Sequence, residues 1–148
     1  MKFKLELTIN KSRADVWKMF DNPENMKNWQ TSLINIETMS GITGQPGAIT
    51  KLTYEEGKRQ FSLIERVTHR EEPKRYDVVY ENEFTDNPVK NIFVETDDNK
   101  TLWTVEAEFK FKTISMKLLG PLLKKRLVAR TQRDMDRFRE FAESLQEV

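Results

Sequence analysis

Apolar residues recur along the last part of the chain at the spacing of a long α-helix. Between residues 116 and 148 they stand three or four positions apart, which places them on one face of a helix. The opposite face carries mainly Lys, Arg, Asp and Glu. At about 1.5 Å per residue, the segment would extend roughly 50 Å if it were helical throughout. The apolar face is formed by Leu119, Leu123, Leu127, Thr131, Met135, Phe138, Ala142 and Leu145.

Gly120 and Pro121 interrupt the start of this helical pattern. Proline lacks a backbone N–H and is tolerated mainly in the first turn of a helix. Two interpretations remain open: the helix begins at Pro121, or the preceding turn kinks there. Under the second, residues 118–122 would form a mobile lip over a pocket mouth.

Alternation of apolar and polar residues predicts seven strands upstream of this helix. In the first of them, every second residue from Phe3 to Ile9 is apolar, which is typical of a half-buried strand. Clusters of Gly, Pro, Asn and Asp predict short turns between the later strands, including one at residues 86–88. Short turns favour antiparallel neighbours. The predicted strands cover residues 2–10, 33–40, 48–56, 59–70, 75–84, 89–96 and 101–112.

Two short helices are predicted between the first and second strands. Ser12 offers an N-cap, with Asp15 in the capping-box position. Asn22-Pro23 ends the first helix, and Pro23 opens the second, which runs to Trp29. Segregated helices and an antiparallel sheet define an α+β fold. We therefore expect a curved sheet wrapped on the long C-terminal helix.

Length and composition limit the classes of function. The 148 residues fit one domain, spanning residues 1–148. With 25 basic and 24 acidic residues, no global charge points to nucleic acid. Cysteine is absent, which excludes disulfides and thiolate chemistry. The chain shows no signal peptide and no integral membrane segment, so we expect a cytoplasmic protein.

The order of these elements resembles the START-like, or SRPBCC, superfamily with its helix-grip fold. Three stretches carry the resemblance, and they look closest to the polyketide cyclase/dehydratase-like branch. The resemblance covers nearly the whole chain and implies a seven-stranded sheet around a cavity for hydrophobic or amphipathic small molecules. It does not imply one reaction. The three stretches are INKSRADVWKMFDNPENMKNW, LIERVTHREEPKRYDVVYE and LLGPLLKKRLVARTQRDMDRFREFAE.

A cavity is expected where the straight helix separates from the curved sheet. The alternative for each inward residue is plain core packing. Ala107, among large neighbours, would leave space, whereas Trp103, Phe109 and Phe111 are expected to seal the core. The candidate ligand-binding residues are Trp29, Phe61, Leu63, Tyr80, Phe93, Val105, Ala107, Leu119, Leu123 and Leu127.

Glu65 is the one weak candidate for a catalytic residue. It shares strand parity with Phe61 and Leu63, so it points inward, where a carboxyl needs a partner or a raised pKa. A salt bridge near the rim of the sheet is the alternative. His69, the only histidine, has the same parity but lies about 13 Å along the strand, too far to share a proton with Glu65. No metal site or cofactor is expected, because the ligand spacings are missing.

Three functions follow as hypotheses. The leading one is a module that binds a small hydrophobic molecule without catalysis. The second is a cyclase/dehydratase-type enzyme that uses Glu65 or Tyr80 on an aromatic or polyketide substrate. The third is an interaction module of the co-chaperone type, acting through the sheet or the basic helix face. The expected oligomeric state is a monomer or homodimer.

Overall fold

The computed structural model describes residues 1–145 and has the predicted α+β helix-grip architecture. Three helices and eight strands make up the fold, and a 3-10 turn at Pro23–Asn25 leads into the second helix. The helices are α1 (Arg13–Asp21), α2 (Met26–Trp29) and α3 (Ile114–Ser144). The strands are β1 (Lys2–Ile9), β2 (Leu33–Ser40), β3 (Ile49–Glu56), β4 (Arg59–Glu71), β5 (Arg75–Glu81), β6 (Thr85–Glu95), β7 (Thr101–Glu108) and β8 (Lys110–Phe111).

All strand pairs in the curved sheet are antiparallel, in the order β1-β7-β6-β5-β4-β3-β2. The short β8 pairs with the start of β6. It continues β7 after an interruption at Phe109. Register shifts interrupt the ladders of β2 and β4, and such irregularities bend strands. Curvature is therefore built into the strands.

The predicted turn at residues 86–88 is wrong. The chain turns earlier, where the side chain of Asn82 accepts hydrogen bonds from the backbone N–H groups of Phe84 and Thr85, each at 2.8 Å. An Asn side chain that bonds the backbone two residues on is itself a turn-former. Residues 86–88 belong to β6, and Pro88 lies where the neighbour of β6 changes from β8 to β7. Proline is tolerated at such a break in the ladder.

The core is concentrated at one end of the molecule. Phe20 of α1 lies at its centre, with its ring 5.1 Å from that of Phe93 and 5.8 Å from those of Trp103 and Phe138. Trp17 and Trp29 complete this aromatic cluster and are almost fully buried. Aromatic side chains bury large areas and prefer such edge-to-face contacts. The two short helices therefore fill the space between the sheet and the C-terminal half of α3.

The two halves of α3 are packed differently. In the C-terminal half, Met135, Phe138 and Ala142 are completely buried against the core. In the half before Leu127, Gly120 alone is buried among the described residues. The helix begins at Ile114, earlier than either interpretation of Pro121 required, because the Thr113 hydroxyl caps it by accepting from the Met116 N–H at 3.2 Å. The first half of α3 thus stands over the sheet without filling the space beneath.

Candidate functional site

A cavity of about 1060 Å³ lies between the sheet and roughly the first two thirds of α3, from Met116 to Met135. This volume is just above the usual range of about 300–1,000 Å³ for small-molecule sites. The wall is formed by inward residues of β3 to β7 and by one side of α3. The cavity lies where the long helix leaves the aromatic core, as the sequence predicted.

Most of the candidate ligand-binding residues line this cavity. Phe61 and Leu63 come from β4, where the register sets them opposite Tyr54 and Leu52 of β3. Ala107 is the smallest of the set, and its short side chain widens the space as expected. The candidates in the wall are Trp29, Phe61, Leu63, Tyr80, Val105, Ala107, Leu123 and Leu127. Their role in binding stays a prediction.

Phe93 and Leu119 lie elsewhere. Phe93 is 1% exposed, and its ring is covered by Trp17 at 5.9 Å and Phe20 at 5.1 Å, so α1 separates it from the cavity. Leu119 is 46% exposed. It faces solvent and is not part of the wall, although Leu122 and Leu123 of the next turn are.

Several wall residues were not predicted. Trp103, Phe109 and Phe111, expected to seal the core, present surface to the cavity. Tyr54 and Gln30 also line it, and the Tyr54 hydroxyl donates to the Gln30 Oε1 at 2.7 Å. Tyr54 has the same inward strand parity as Leu52, and this parity was the sequence pattern that could have predicted its place in the wall. Gln30 follows the last residue of α2, and no sequence pattern marks it.

The polar side chains of the wall are largely satisfied by the protein. Trp103 Nε1 donates to Asn91 Oδ1 at 3.1 Å, and Asn91 Nδ2 donates to the Tyr76 carbonyl. Asn87 Nδ2 donates to the Glu108 carbonyl at 2.8 Å. Tyr80 is different, because its hydroxyl makes no hydrogen bond of standard geometry within residues 1–145. Burial raises the pKa of Tyr80, and interaction with Glu65 adds to the rise.

Glu65 points inward between Thr50 and Tyr80, its register partners on β3 and β5. It does not line the cavity itself but lies beside Tyr80, which does. Burial raises the pKa of Glu65 from 4.5 to about 7, and interaction with the Tyr80 hydroxyl opposes the rise. Within residues 1–145, Glu65 forms no salt bridge. The alternative that it pairs with a cation near the rim of the sheet is therefore wrong.

Arginines flank the mouth of the cavity. Arg130 of α3 lies over the rings of Tyr54 and Phe61, at 5.8 and 5.5 Å from their centroids, and pairs with Glu56 at 2.7 Å. Arg130 therefore ties the helix to the β3–β4 hairpin. Arg59 also lies over the Phe61 ring, 5.7 Å from its centroid. The exposed wall residues, where the cavity meets solvent, include Arg59, Leu122, Lys125, Arg126 and Arg133.

Asp134 is the acidic side chain of α3 at this cavity. Burial raises the pKa of Asp134 to about 6, and the nearby Arg130, Arg137 and Arg133 oppose the rise. Arg137 lies 3.7 Å from its carboxylate. The carboxyl of Asp134 and that of Glu65 are thus both held in the region of the cavity with a weakened preference for the charged form.

His69 takes no part in the site. The register of β4 shifts between Val67 and His69, which turns His69 outward, 3.7 Å from Glu71. The same shift sends Arg70 inward, where it forms two hydrogen bonds to Asp21 at 2.6 and 2.8 Å. The expectation that His69 shares the parity of Glu65 is therefore wrong, because a bulge reverses strand parity.

Residues 1–145 contain no group of three or more His, Cys, Asp or Glu side chains placed to hold a metal ion. Within the same residues, no helix combines the length and hydropathy that crossing a membrane requires.

Comparison with known proteins agrees with this geometry. The sequence model of the family described as polyketide cyclase / dehydrase and lipid transport matches residues 1–143. A search of curated proteins gave no match.

Solved structures share the fold at low sequence identity. Ara h 8.0201 is 19% identical, with a TM-score of 0.81 over 98% of this chain and 99% of its own. A START superfamily protein from Mycobacterium smegmatis is 14% identical, with a TM-score of 0.81 and the same coverages. The Zhui aromatase/cyclase from a Streptomyces strain is 10% identical, with a TM-score of 0.75 over 97% of this chain and 93% of its own.

Proposed function

The chain belongs to the polyketide cyclase / dehydrase and lipid transport family, and from that premise we propose that its cavity binds a small hydrophobic or amphipathic molecule. The observation that carries the proposal is the cavity of about 1060 Å³, walled mainly by aromatic and aliphatic side chains. Transfer of apolar surface from water into such a wall contributes roughly 25 cal/mol per Å². Burial of apolar ligand surface can therefore drive binding by itself, without a catalytic group.

The polar groups suggest how such a ligand is oriented. Most polar wall side chains are engaged by the protein, whereas the Tyr80 hydroxyl, beside Glu65, is an interior group that can meet a polar atom of a ligand. The mouth carries Arg59, Arg126 and Arg133 and suits a polar or anionic end. A ligand with an apolar body, one interior polar atom and a hydrophilic end fits this pattern best.

Binding is tested with anilinonaphthalene sulfonate, a fluorescent probe with an apolar body and an anionic end. Ala107→Trp places an indole in the cavity and is expected to weaken probe binding by roughly tenfold or more, a loss of about 1.4 kcal/mol. Ala14→Trp, on the exposed side of α1, is the matched control and should bind as the wild type does.

Equal probe affinity in wild type and Ala107→Trp, with both proteins folded by circular dichroism, would show that the probe binds outside the cavity. Absence of binding to the wild type at any probe concentration would remove the proposal. Mass spectrometry of small molecules that copurify with the chain then identifies the natural ligand.

A cyclase/dehydratase-type enzyme is the second candidate, favoured by Glu65. A carboxyl with a pKa of about 7 exchanges its proton near neutral pH, and Tyr80 connects it to the cavity. Glu65→Gln keeps the shape of the side chain but removes the titration. If Glu65 is an acid or base, this variant loses turnover of an aromatic polyketide substrate and keeps probe affinity. Turnover retained by Glu65→Gln would exclude that role.

The third hypothesis, an interaction module of the co-chaperone type, would be favoured by a concave face packed solid. The cavity beneath α3 counts against it.

A further inference from the structure

Four apolar side chains at the start of α3 are exposed and not used by the core or the cavity wall, apart from Leu122 at the mouth. Ile114 is 77% exposed, Leu118 and Leu122 are each 75% exposed, and Leu119 is 46% exposed. Steps of four residues place Ile114, Leu118 and Leu122 in one row along the helix. We call these four residues the apolar ridge. Contiguous exposed apolar surface of this kind marks an interaction site.

The ridge lies within a stretch of strongly basic sequence. Residues 109–133 contain no Asp or Glu and eight cationic side chains, although the chain as a whole has a net charge of only +1. The structure pairs Lys112 with Asp86 and Arg130 with Glu56. Within residues 1–145, the other exposed cations of α3 in this stretch have no acidic partner. The eight are Lys110, Lys112, Lys117, Lys124, Lys125, Arg126, Arg130 and Arg133.

Apolar and basic groups face solvent together here. Arg126 stands four residues after Leu122 and continues the row of the ridge, and Lys125 lies beside it; both are exposed. An exposed helical surface with leucines and isoleucine among lysines is the chemistry that lies in the interface of an anionic bilayer. The apolar side chains enter the acyl boundary while the lysines and arginines meet the head groups.

A second copy of the chain fits this surface poorly. Pairing two ridges would bring Lys117, Lys125 and Arg126 of one copy close to the same cations of the other, with no acidic side chain from residues 109–133 between them. Like charges held together are repulsive. An anionic surface removes that repulsion, because it supplies the negative charge that the stretch lacks.

We propose that the apolar ridge and its surrounding cations dock the protein on an anionic lipid bilayer, with the cavity mouth beside the membrane. Leu122, Lys125 and Arg126 also belong to the cavity wall where it meets solvent, so the docked face and the mouth are continuous. Docking does not depend on the cavity holding a ligand, since Ile114 and Leu118 lie outside its wall.

The test is cosedimentation of the full chain with vesicles of phosphatidylcholine alone or with phosphatidylglycerol added as the anionic lipid. Wild type should bind the anionic vesicles and leave the neutral ones largely unbound. Binding should be lost at roughly 1 M salt, where the Debye length is about 3 Å. Equal binding to both vesicles, or binding to neither, would overturn the proposal.

Two pairs of variants separate the apolar and the basic contributions. Ile114→Ser with Leu118→Ser should reduce binding by roughly tenfold or more through lost apolar burial. Met39→Ser with Ile42→Ser, at 56% and 75% exposure outside the basic stretch, is the matched control and should bind as the wild type does.

Lys124→Glu with Lys125→Glu should reduce binding by at least roughly 30-fold, given about 1 kcal/mol for each basic residue at an anionic surface. Lys18→Glu with Lys27→Glu makes the same change in net charge at exposed positions of α1 and α2 and should retain binding. Equal losses in test and control pairs would show a global charge effect and refute a docking face.

Light scattering after size-exclusion chromatography measures the oligomeric state of the same variants. A homodimer that Ile114→Ser with Leu118→Ser converts to a monomer would show that the ridge is a self-interface, and would also refute membrane docking. Ala107→Trp should still bind vesicles, and the ridge variant should still bind the fluorescent probe. Failure of the cavity proposal and failure of the docking proposal are therefore distinguishable.

Discussion

The carboxyl of Glu65 shows how strand register creates an unusual chemical environment. Antiparallel pairing places it opposite Thr50 on one side and Tyr80 on the other, both inward-facing. Burial raises the pKa values of Tyr54, Tyr76 and Tyr80, and the charge of Glu65 raises them further, so Glu65 lies near three phenols. No cation is paired with it within residues 1–145, so burial keeps Glu65 neutral up to about pH 7.

This environment predicts a specific pH dependence of stability. Between pH 4.5 and 7, Glu65 loses its proton in the unfolded chain but keeps it in the folded chain. The free energy of unfolding therefore falls as pH rises through this window, and the part due to Glu65 levels off above pH 7. Glu65→Gln lacks this titration, so its stability relative to wild type should rise across the window by on the order of 3 kcal/mol at most. Urea denaturation at a series of pH values measures the difference.

Asp134→Asn provides the comparison for this experiment. Burial raises the pKa of Asp134 to about 6, so its effect has the same sign and ends at lower pH. A difference between wild type and Glu65→Gln that does not change with pH, or that changes in the opposite direction, would show that Glu65 is hydrated in the folded protein.

At the scale of the element, α3 combines a well-packed half with a weakly packed one. Pro121 is the eighth residue of the helix and has no N–H to donate to the Lys117 carbonyl. Gly120 beside it is buried against Phe111, and a Cβ at this position would lie 3.0 Å from the Phe111 ring. The close approach fixes the helix to β8, while Pro121 removes a hydrogen bond from the turn that carries the apolar ridge.

Pro121→Ala is expected to stabilise the protein. Restoring the N–H and relieving the ring's clash with the preceding turn should raise the free energy of unfolding by about 1–3 kcal/mol. Amide hydrogen exchange over residues 117–122 should slow at the same time, because the turn then has its full set of helical hydrogen bonds. Urea denaturation and exchange followed by mass spectrometry measure the two effects.

Leu119→Ala serves as the control for Pro121→Ala. It truncates an exposed side chain in the same turn and leaves backbone hydrogen bonding unchanged, so its stability should be close to that of the wild type. Slow exchange throughout residues 114–122 in the wild type would contradict the weakly packed turn and with it the hypothesis of a mobile lip.

At the scale of the whole molecule, charge and packing are both unevenly distributed. The aromatic core fills the space beneath the C-terminal end of α3, and the cavity lies beneath its N-terminal half and its middle. The basic stretch of residues 109–133 covers the cavity end. Because it holds eight cations and no Asp or Glu while the whole chain has a net charge of only +1, the rest of the chain is net acidic. A near-neutral total charge therefore conceals a molecule with one basic, partly apolar face beside its cavity mouth.

The site could be predicted from sequence only as far as strand parity and helical periodicity reach. Parity placed Leu63, Glu65 and Tyr80 inward, and periodicity placed Leu123 and Leu127 toward the sheet. Strand parity gave the wrong orientation for His69, because a bulge in β4 reverses parity and no sequence pattern marks the bulge. Strand parity also could not show that Phe93 lies outside the cavity, because the packing of α1 decides which inward residues are shielded from it.

The alternation of side chains and the long apolar repeat determined the α+β architecture, since both follow from local backbone geometry. Seven of the eight strands, the two short helices and the presence of the long C-terminal helix needed no tertiary information, whereas the break at Phe109 that separates β8 from β7 was not predicted. Only the tertiary structure decided that the aromatic rings of α1 and α2 fill one end of the sheet and leave the other end hollow. It also left Ile114 and Leu118 exposed, because the burial of an apolar side chain depends on which distant residues reach it.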